Sequence, residues 1–329
     1  GSQNTQEDSF AIMDAALADG INCFDTAELY SIPPSPENQG RSEKIIGEWM
    51  KKNGNRDKII LATKVAGRTT NRIGMRDTPA NTAIILDAKN ITYAIDQSLK
   101  RLQTDYVDFY QLHWPDRPLQ LFGDDREGFE FQDEDFESFE NILHALQTLQ
   151  DTGKVRYFGV SNETPWGLMR FLQAADQGHG PRMQGIQNCY NLVNRVFEAG
   201  LAEIAMHENV GCWAFSPLAA GFLSGKYLAG KMPEGSRKKI FGGRLDRYTY
   251  PNADPAIAAY CQIAHQFDLD PSAMALRFIT SRPWVDTAIF GATNLTQLET
   301  AIASQSIPWN DEIMNALNEV HLHNPNPCP

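Results

Sequence analysis

Several common signatures are missing from this chain, and each absence removes a class of function. No apolar run approaches the roughly 18 residues of a membrane-spanning helix, and no basic segment followed by an apolar one opens the sequence, so neither a span nor a signal peptide is expected. Positive charge is scarce: 29 Lys and Arg stand against 41 Asp and Glu, a net charge of -12. That balance argues against a nucleic-acid binder, since phosphate backbones reward a positive surface, and favours a small-molecule partner. The five cysteines, Cys23, Cys189, Cys212, Cys261 and Cys328, form no C-x-x-C pair, and three of them sit in apolar strand patterns. Reduced thiols and a cytoplasmic setting are expected. No G-x-G-x-x-G occurs, which removes the usual dinucleotide-binding fold. Ala220 to Tyr227 looks like a phosphate-binding P-loop but fails it, with Ala220 for the first glycine and Tyr227 for the Ser/Thr. There is no internal repeat and no low-complexity segment.

What is present is alternation. Apolar residues recur at helical spacing over Glu7–Ala18, Ser42–Lys52, Ile91–Leu102, Phe136–Gln150, Pro165–Ala175, Phe197–His207, Pro255–Gln266, Leu295–Ala303 and Asp311–His321. Between the earlier helices lie short apolar or β-branched strand patterns, beginning at Ile21 and at Ile59, Tyr106, Val155, Gln184, Gly211 and Thr287. About seven strands joined by helical crossovers predict an α/β chain of one domain, residues 1–329, folded as a (β/α)8 TIM barrel short by one strand. The first helix has no strand before it, so the missing strand is expected ahead of Gly1. Long interruptions after strand ends, at 31–40, 65–88, 114–135 and 217–252, fall where barrel enzymes keep binding loops. The acidic stretch 124–137 lacks the glycine and ligand spacing of a calcium loop and reads as a solvated lid, with no metal expected.

Three successive strands end in ionisable residues: Asp25 (with Tyr30 five residues on), Lys64 and His113. Parallel strands of a barrel converge at their C-terminal ends, where such enzymes keep their active sites, so these four can share one pocket. Asp25 alone reads as a turn cap. Lys64 is harder to dismiss, because an ammonium ending so apolar a strand is costly to bury without a partner, and Asp25 is the nearest candidate. Period-two alternation puts His113 on one face with Phe109 and Gln111, and Asp108 on the other with Tyr110, so Asp108 is expected to be structural. The chemistry that suits the four is proton donation by a phenol. A free tyrosine, with a pKa of about 10, is a poor acid at neutral pH, and a neighbouring ammonium improves it by favouring the phenolate. Lys64 would supply that charge, Asp25 would orient Lys64, and His113 would hydrogen-bond the oxygen that receives the proton.

A carbonyl reduced in this way also needs a hydride. Barrels gather phosphate with the loops after their last two strands, here Ser216–Lys226 and Gly291–Gln297, and both contain small residues that admit close approach. At earlier strand ends Ser161, Asn162 and Gln187 are candidates to hold a carboxamide, each read more often as a turn or surface residue. Residues 226–247 hold Lys226, Lys231, Arg237, Lys238, Lys239, Arg244 and Arg247 against Glu234 and Asp246, an excess of five positive charges in an acidic chain. Taken alone the run is a solvated loop. Placed after the seventh expected strand it suits a 2′-phosphate, so NADPH is expected over NADH.

Asp25-Thr-Ala-Glu-Leu-Tyr30, Ala62-Thr-Lys64, Leu112-His-Trp-Pro115, Gly153–Asn162, Gln187-Asn-Cys-Tyr-Asn191, Phe215-Ser-Pro-Leu218 and Gly291-Ala-Thr-Asn294 together resemble the aldo-keto reductase superfamily from end to end. The likeness is greatest to its bacterial Tas-type branch and to potassium-channel β-subunits. It implies Tyr30 as acid with Lys64 and Asp25 in support, His113 at the substrate oxygen, and an extended NADP(H) across the barrel mouth. It also implies Ser161, Asn162 and Gln187 on the nicotinamide amide and Phe215 against its ring. Ser216, Leu218, Lys226, Arg237, Gly291, Thr293 and Gln297 would line the phosphates and adenosine. Thr300-Ala301 stands where relatives commonly place Glu-Asn near the adenine, and the N-terminal hairpin and first strand of the family are not in this sequence. The competing class is a coenzyme-binding regulatory subunit with slow turnover, as the channel relatives imply.

Overall fold

Helix α1 (Gln6–Ala18) begins where Thr5 caps it: the Thr5 hydroxyl accepts from the Asp8 N–H while the Asp8 carboxylate accepts from the Thr5 N–H, so two otherwise orphaned donors are satisfied together. This is a computed structural model, and it describes residues 3–70, 75–76, 83–121 and 128–329. Part of the expected lid (124–127) and much of the expected loop 65–88 (71–74 and 77–82) lie outside the described residues. The chain forms two units, one of residues 1–119 and 131–187, the other of residues 120–130 and 188–329.

In the first unit β1 (Cys23–Asp25) is followed by α2 (Arg41–Asn53), β2 (Ile60–Val65), α3 (Ala88–Leu102), β3 (Val107–Leu112), α4 (Phe139–Asp151), β4 (Val155–Ser161), α5 (Pro165–Asp176) and β5 (Met183–Cys189), which belongs to this unit up to Gln187. The helices form because their apolar residues share one face. In α3 Ile91, Ala94, Ile95 and Leu102 are buried, with Asp87 capping the start by accepting from the Asn90 N–H. Each such Ile or Leu adds about 1.5–3 kcal/mol by leaving water. Neighbouring strands pair in parallel and in chain order. The register sets Asp25 opposite Ala62, Lys64 opposite Gln111, and Ser161 opposite Gln187, so these side chains gather at one end of the sheet.

Strand β3 obeys the expected alternation. Phe109 lies against the backbone of β4, where a Cβ on Gly159 would sit 2.5 Å from its ring, so only glycine fits there. Asp108 points the other way and takes no part in the candidate site. Its carboxylate accepts from Arg56 and Arg156, each at 2.7 Å, and from the Leu61 N–H at 3.0 Å, while the Tyr106 ring lies 3.9 Å from the Arg56 guanidinium and 4.3 Å from that of Arg156.

The second unit holds α6 (Leu201–Glu208), β6 (Gly211–Phe215), α7 (Arg237–Phe241), α8 (Ala253–Gln266), α9 (Pro271–Thr280), β7 (Val285–Ile289), α10 (Leu295–Ala303) and α11 (Asp311–His323). Strands β6 and β7 pair in parallel, Ala214 opposite Ala288. The helix expected over Phe197–His207 is broken: a short 3-10 turn covers Val196–Ala199, and Gly200 separates it from α6. Helix α9 lies outside the helical patterns of the sequence, although Asp270 caps it and Pro271 occupies its first turn. Parallel strands alternating with helices make the fold a (β/α)8 barrel in class. Among the described residues no helix is long and apolar enough to cross a membrane, and all five cysteines are free.

Candidate active site

Asp25, Lys64 and His113 stand at the C-terminal ends of β1, β2 and β3, and the turn after β1 brings Tyr30 over them. Lys64 is fully buried, and its Nζ donates to Asp25 Oδ2 at 2.5 Å and to the Thr26 carbonyl at 2.8 Å. The pair that the sequence suggested is therefore formed. The same ammonium lies 5.2 Å from the centre of the Tyr30 ring. The Tyr30 and His113 rings meet edge to face, 5.6 Å between centres. Burial, with Lys64 adding to it, pushes the His113 imidazole well below the usual histidine range, so the ring is neutral and offers a donor without a charge.

Asp25 has two further partners. Gln111 Nε2 donates to its Oδ1 at 3.0 Å, and Gln187 Nε2 does so at 3.1 Å. With Lys64 on the other oxygen, three donors satisfy a carboxylate that would be costly to bury alone. From the sequence alone Gln111 marks only the face that His113 occupies. Its parity with His113 was the signal that could have placed it in the site. Asn162 follows β4 with φ of 51°, a left-handed conformation that a non-glycine residue adopts at a cost. Its amide donates to the His113 carbonyl at 2.9 Å and to Ser161 Oγ at 3.2 Å. Ser161, Asn162 and Gln187 thus stand at the strand ends beside the Asp25 group, with the amides of Asn162 and Gln187 hydrogen-bonded to protein atoms.

In the second unit β6 ends at Phe215, and Ser216 turns with φ of 55°. Asn191 holds that turn by donating to the Ser216 carbonyl at 3.0 Å. Leu218 precedes a 3-10 segment in which Gly221 has φ of 96°, a conformation that strains other residues, and a Cβ there would meet the mobile end of Lys226 at 2.8 Å. A Cβ on Gly291 would lie 3.7 Å from Arg237 Nη2, which puts the loop after β7 beside the start of α7. Thr293 donates to Gln297 Oε1 from its backbone N–H at 3.0 Å and from its hydroxyl at 3.2 Å.

The basic run 226–247 is less free than its composition implied. Arg247 turns inward and donates to Cys189 Sγ at 3.2 Å, and Lys239 pairs with Glu234. Lys238 Nζ lies 5.3 Å from the Phe222 ring centre. The Arg244 side chain is outside what the structure describes. Lys226 and Arg237 have no carboxylate partner among the described residues. These two cations, reached past glycines that leave room for close approach, fit a phosphate-bearing group. Burial favours the protonated thiol at three of the cysteines, pushing Cys23 up to about 12 and Cys189 and Cys212 also upward.

A family model described as "Aldo/keto reductase family" matches residues 1–321. Protein tas of Escherichia coli K12 is 44% identical over 331 aligned residues, covering 100% of this chain and 93% of that protein. An aldo-keto reductase of Babesia bovis is 37% identical over 80% of this chain and 96% of its own length. L-glyceraldehyde 3-phosphate reductase of Escherichia coli K12 is 29% identical over 91% of this chain and 79% of its own length. Parallel strands with intervening helices in each unit, an Asp–Lys pair under a tyrosine and a match of this extent agree, and the chain belongs to the aldo/keto reductase family of oxidoreductases, in its Tas-type branch.

Proposed function

We propose that the protein reduces an aldehyde or ketone to an alcohol with NADPH, and that Tyr30 is the general acid. The observation that carries this is the position of Lys64 Nζ, bonded to Asp25 and 5.2 Å from the Tyr30 ring. A positive charge so placed favours the phenolate, which makes the phenol a better proton donor at neutral pH. Asp25 keeps that charge in place, and Gln111 and Gln187 keep Asp25 in place. His113, neutral through burial, donates to the carbonyl oxygen, so the oxygen that gains charge meets hydrogen-bond donors already set for it.

NADPH, when bound, supplies the hydride. The carbonyl carbon accepts it, the oxygen takes the Tyr30 proton, and the phenolate regains a proton from water. Ser161, Asn162 and Gln187 are proposed for the nicotinamide amide, which requires Asn162 and Gln187 to exchange or share their present protein partners. Phe215 is proposed against the nicotinamide ring, and Ser216, Leu218, Lys226, Arg237, Gly291, Thr293 and Gln297 around the phosphates and adenosine. Lys226 and Arg237 carry the charge that a 2′-phosphate needs, and Arg237 can grip it with two parallel hydrogen bonds.

Steady-state oxidation of NADPH against a panel of aldehydes and ketones tests the reading. Turnover in the ordinary enzyme range, roughly 1 to 1,000 per second, supports a reductase. Tight coenzyme binding with negligible turnover on every carbonyl would instead support a regulatory coenzyme sensor.

A further inference from the structure

We propose that Glu28 is a positioning residue for the reduction: its buried carboxylate pins the turn that carries Tyr30 to the strand that carries Lys64. This rests on Tyr30 acting as the acid. Glu28 lies two residues before Tyr30 and is only 1% exposed. Its Oε1 accepts from the Ala66 N–H at 2.7 Å, two residues beyond Lys64. The backbone N–H of Glu28 donates to the Lys64 carbonyl at 3.2 Å. One residue thus grips the end of β2 and its exit at two points, at Lys64 through its backbone and at Ala66 through its side chain. A turn held at one point can pivot; held at two it keeps its distance from Lys64.

The grip is itself anchored. Arg76, 5% exposed, donates from Nη1 to the same Glu28 oxygen and from Nη2 to Asn90 Oδ1 at 3.0 Å in the first turn of α3. Gln39 Nε2 donates to the Glu28 carbonyl at 2.8 Å from the far side of the loop. Burying a carboxylate and a guanidinium together is expensive, and a well-packed apolar pair commonly holds a fold as firmly. Here the polar pair supplies what an apolar pair cannot, a directional tie to one backbone N–H beside Lys64. Proton transfer is sensitive to such placement, because a shift of about 1 Å in a reacting group can cost about a hundredfold in rate.

Glu28→Ala removes the tie, whereas Glu28→Gln keeps an oxygen able to accept from both Ala66 and Arg76. Single-turnover oxidation of NADPH with an aldehyde, together with NADPH titration by fluorescence, reads the two variants. Glu28→Ala is expected to lower the rate about ten- to a hundredfold with NADPH affinity held within about threefold, and Glu28→Gln to restore most of the rate. In a Tyr30→Phe background Glu28→Ala should add no further loss to the residual rate, because both changes act through the same hydroxyl. Losses that multiply in the double variant, or a Glu28→Gln rate as low as that of Glu28→Ala, overturn the proposal.

If Glu28→Ala does not fold, Asn90→Ala loosens the Arg76 anchor instead. A loss of roughly two- to threefold, absent in the Tyr30→Phe background, is then expected, and an unchanged rate overturns the proposal. Full activity in Tyr30→Phe alone would reject the acid and the positioning role with it. A large loss in Tyr30→Phe beside full activity in folded Glu28→Ala would reject only the role of Glu28.

Discussion

Gln187 and Asp25 lie 162 positions apart in the chain and share a hydrogen bond of 3.1 Å at the heart of the candidate site. Gln111 donates to the same carboxylate oxygen and Lys64 to the other, so side chains from β1, β2, β3 and β5 meet at one acidic group. Asp25 is therefore a fastening between strands as well as a member of the proposed catalytic group.

Lys64→Met should uncouple these two roles. With Lys64 fully buried and Asp25 close to it, removing the ammonium leaves an uncompensated carboxylate and should cost about 3–5 kcal/mol of stability. A second change, Asp25→Leu, should return much of that stability while activity stays lost. Urea unfolding of the two variants checks this, and equal stability of Lys64→Met and the unmutated protein would mean that the pair contributes nothing.

Tyr30→Phe keeps the ring that faces Lys64 and His113 and deletes only the hydroxyl. We expect kcat to fall about a hundred- to ten-thousandfold with the NADPH dissociation constant nearly unchanged. Stopped-flow and fluorescence titration measure the two separately, and retained turnover would remove Tyr30 from the mechanism.

His113 makes stability depend on pH in a defined direction. Its folded value lies below the ordinary 6.5, so under acid conditions the unfolded chain takes up a proton that the fold refuses. Stability from this group is complete above about 6.5 and falls as pH drops below it toward the folded value. The difference in unfolding free energy between the unmutated protein and His113→Asn should therefore shrink on acidification from pH 7.5 to 5.5. A difference that is flat or grows over that range would show that the imidazole is not held neutral.

Arg237 and Arg247 sit in one basic run but should behave oppositely. Arg237→Ala should weaken NADPH binding by about 1.5–3 kcal/mol, leave NADH binding nearly unchanged, and reduce the salt dependence of NADPH affinity. Arg247 is turned onto Cys189 and is expected to affect folding instead. Arg247→Ala should lower the melting temperature with less change in coenzyme preference. Calorimetric titrations at two salt concentrations, with melting curves alongside, test both. Equal affinity for NADPH and NADH in the unmutated protein would sink the assignment of the 2′-phosphate site.

Much of this was legible in the residues because the signals were local. Strands ending at Asp25, Lys64 and His113 have few polar interruptions, and parity along β3 is enough to place Asp108 away from the site. What escaped detection depended on neighbours distant in sequence. Gln111 carries no charge to draw attention, and its use is decided by Asp25 two strands away. The inward turn of Arg247 depends on Cys189, 58 positions earlier. Helix α9 is short and buried on much of its surface, which blurs its apolar stripe, and its cap at Asp270-Pro271 was the better cue. Gly200 breaks the helix before α6 because its backbone departs from helical geometry, a fact that apolar spacing alone does not reveal.

Strand β3 carries Asp108, bound to Arg56 and Arg156, and three residues later Gln111, bound to Asp25. The two ionic centres use different strand faces and share no hydrogen-bond partner among the described residues. For directed evolution this amounts to a division between chassis and tool: libraries at the strand ends and their loops can be screened for new carbonyl preferences while the arginine clamp on Asp108 is left untouched as a reserve of robustness.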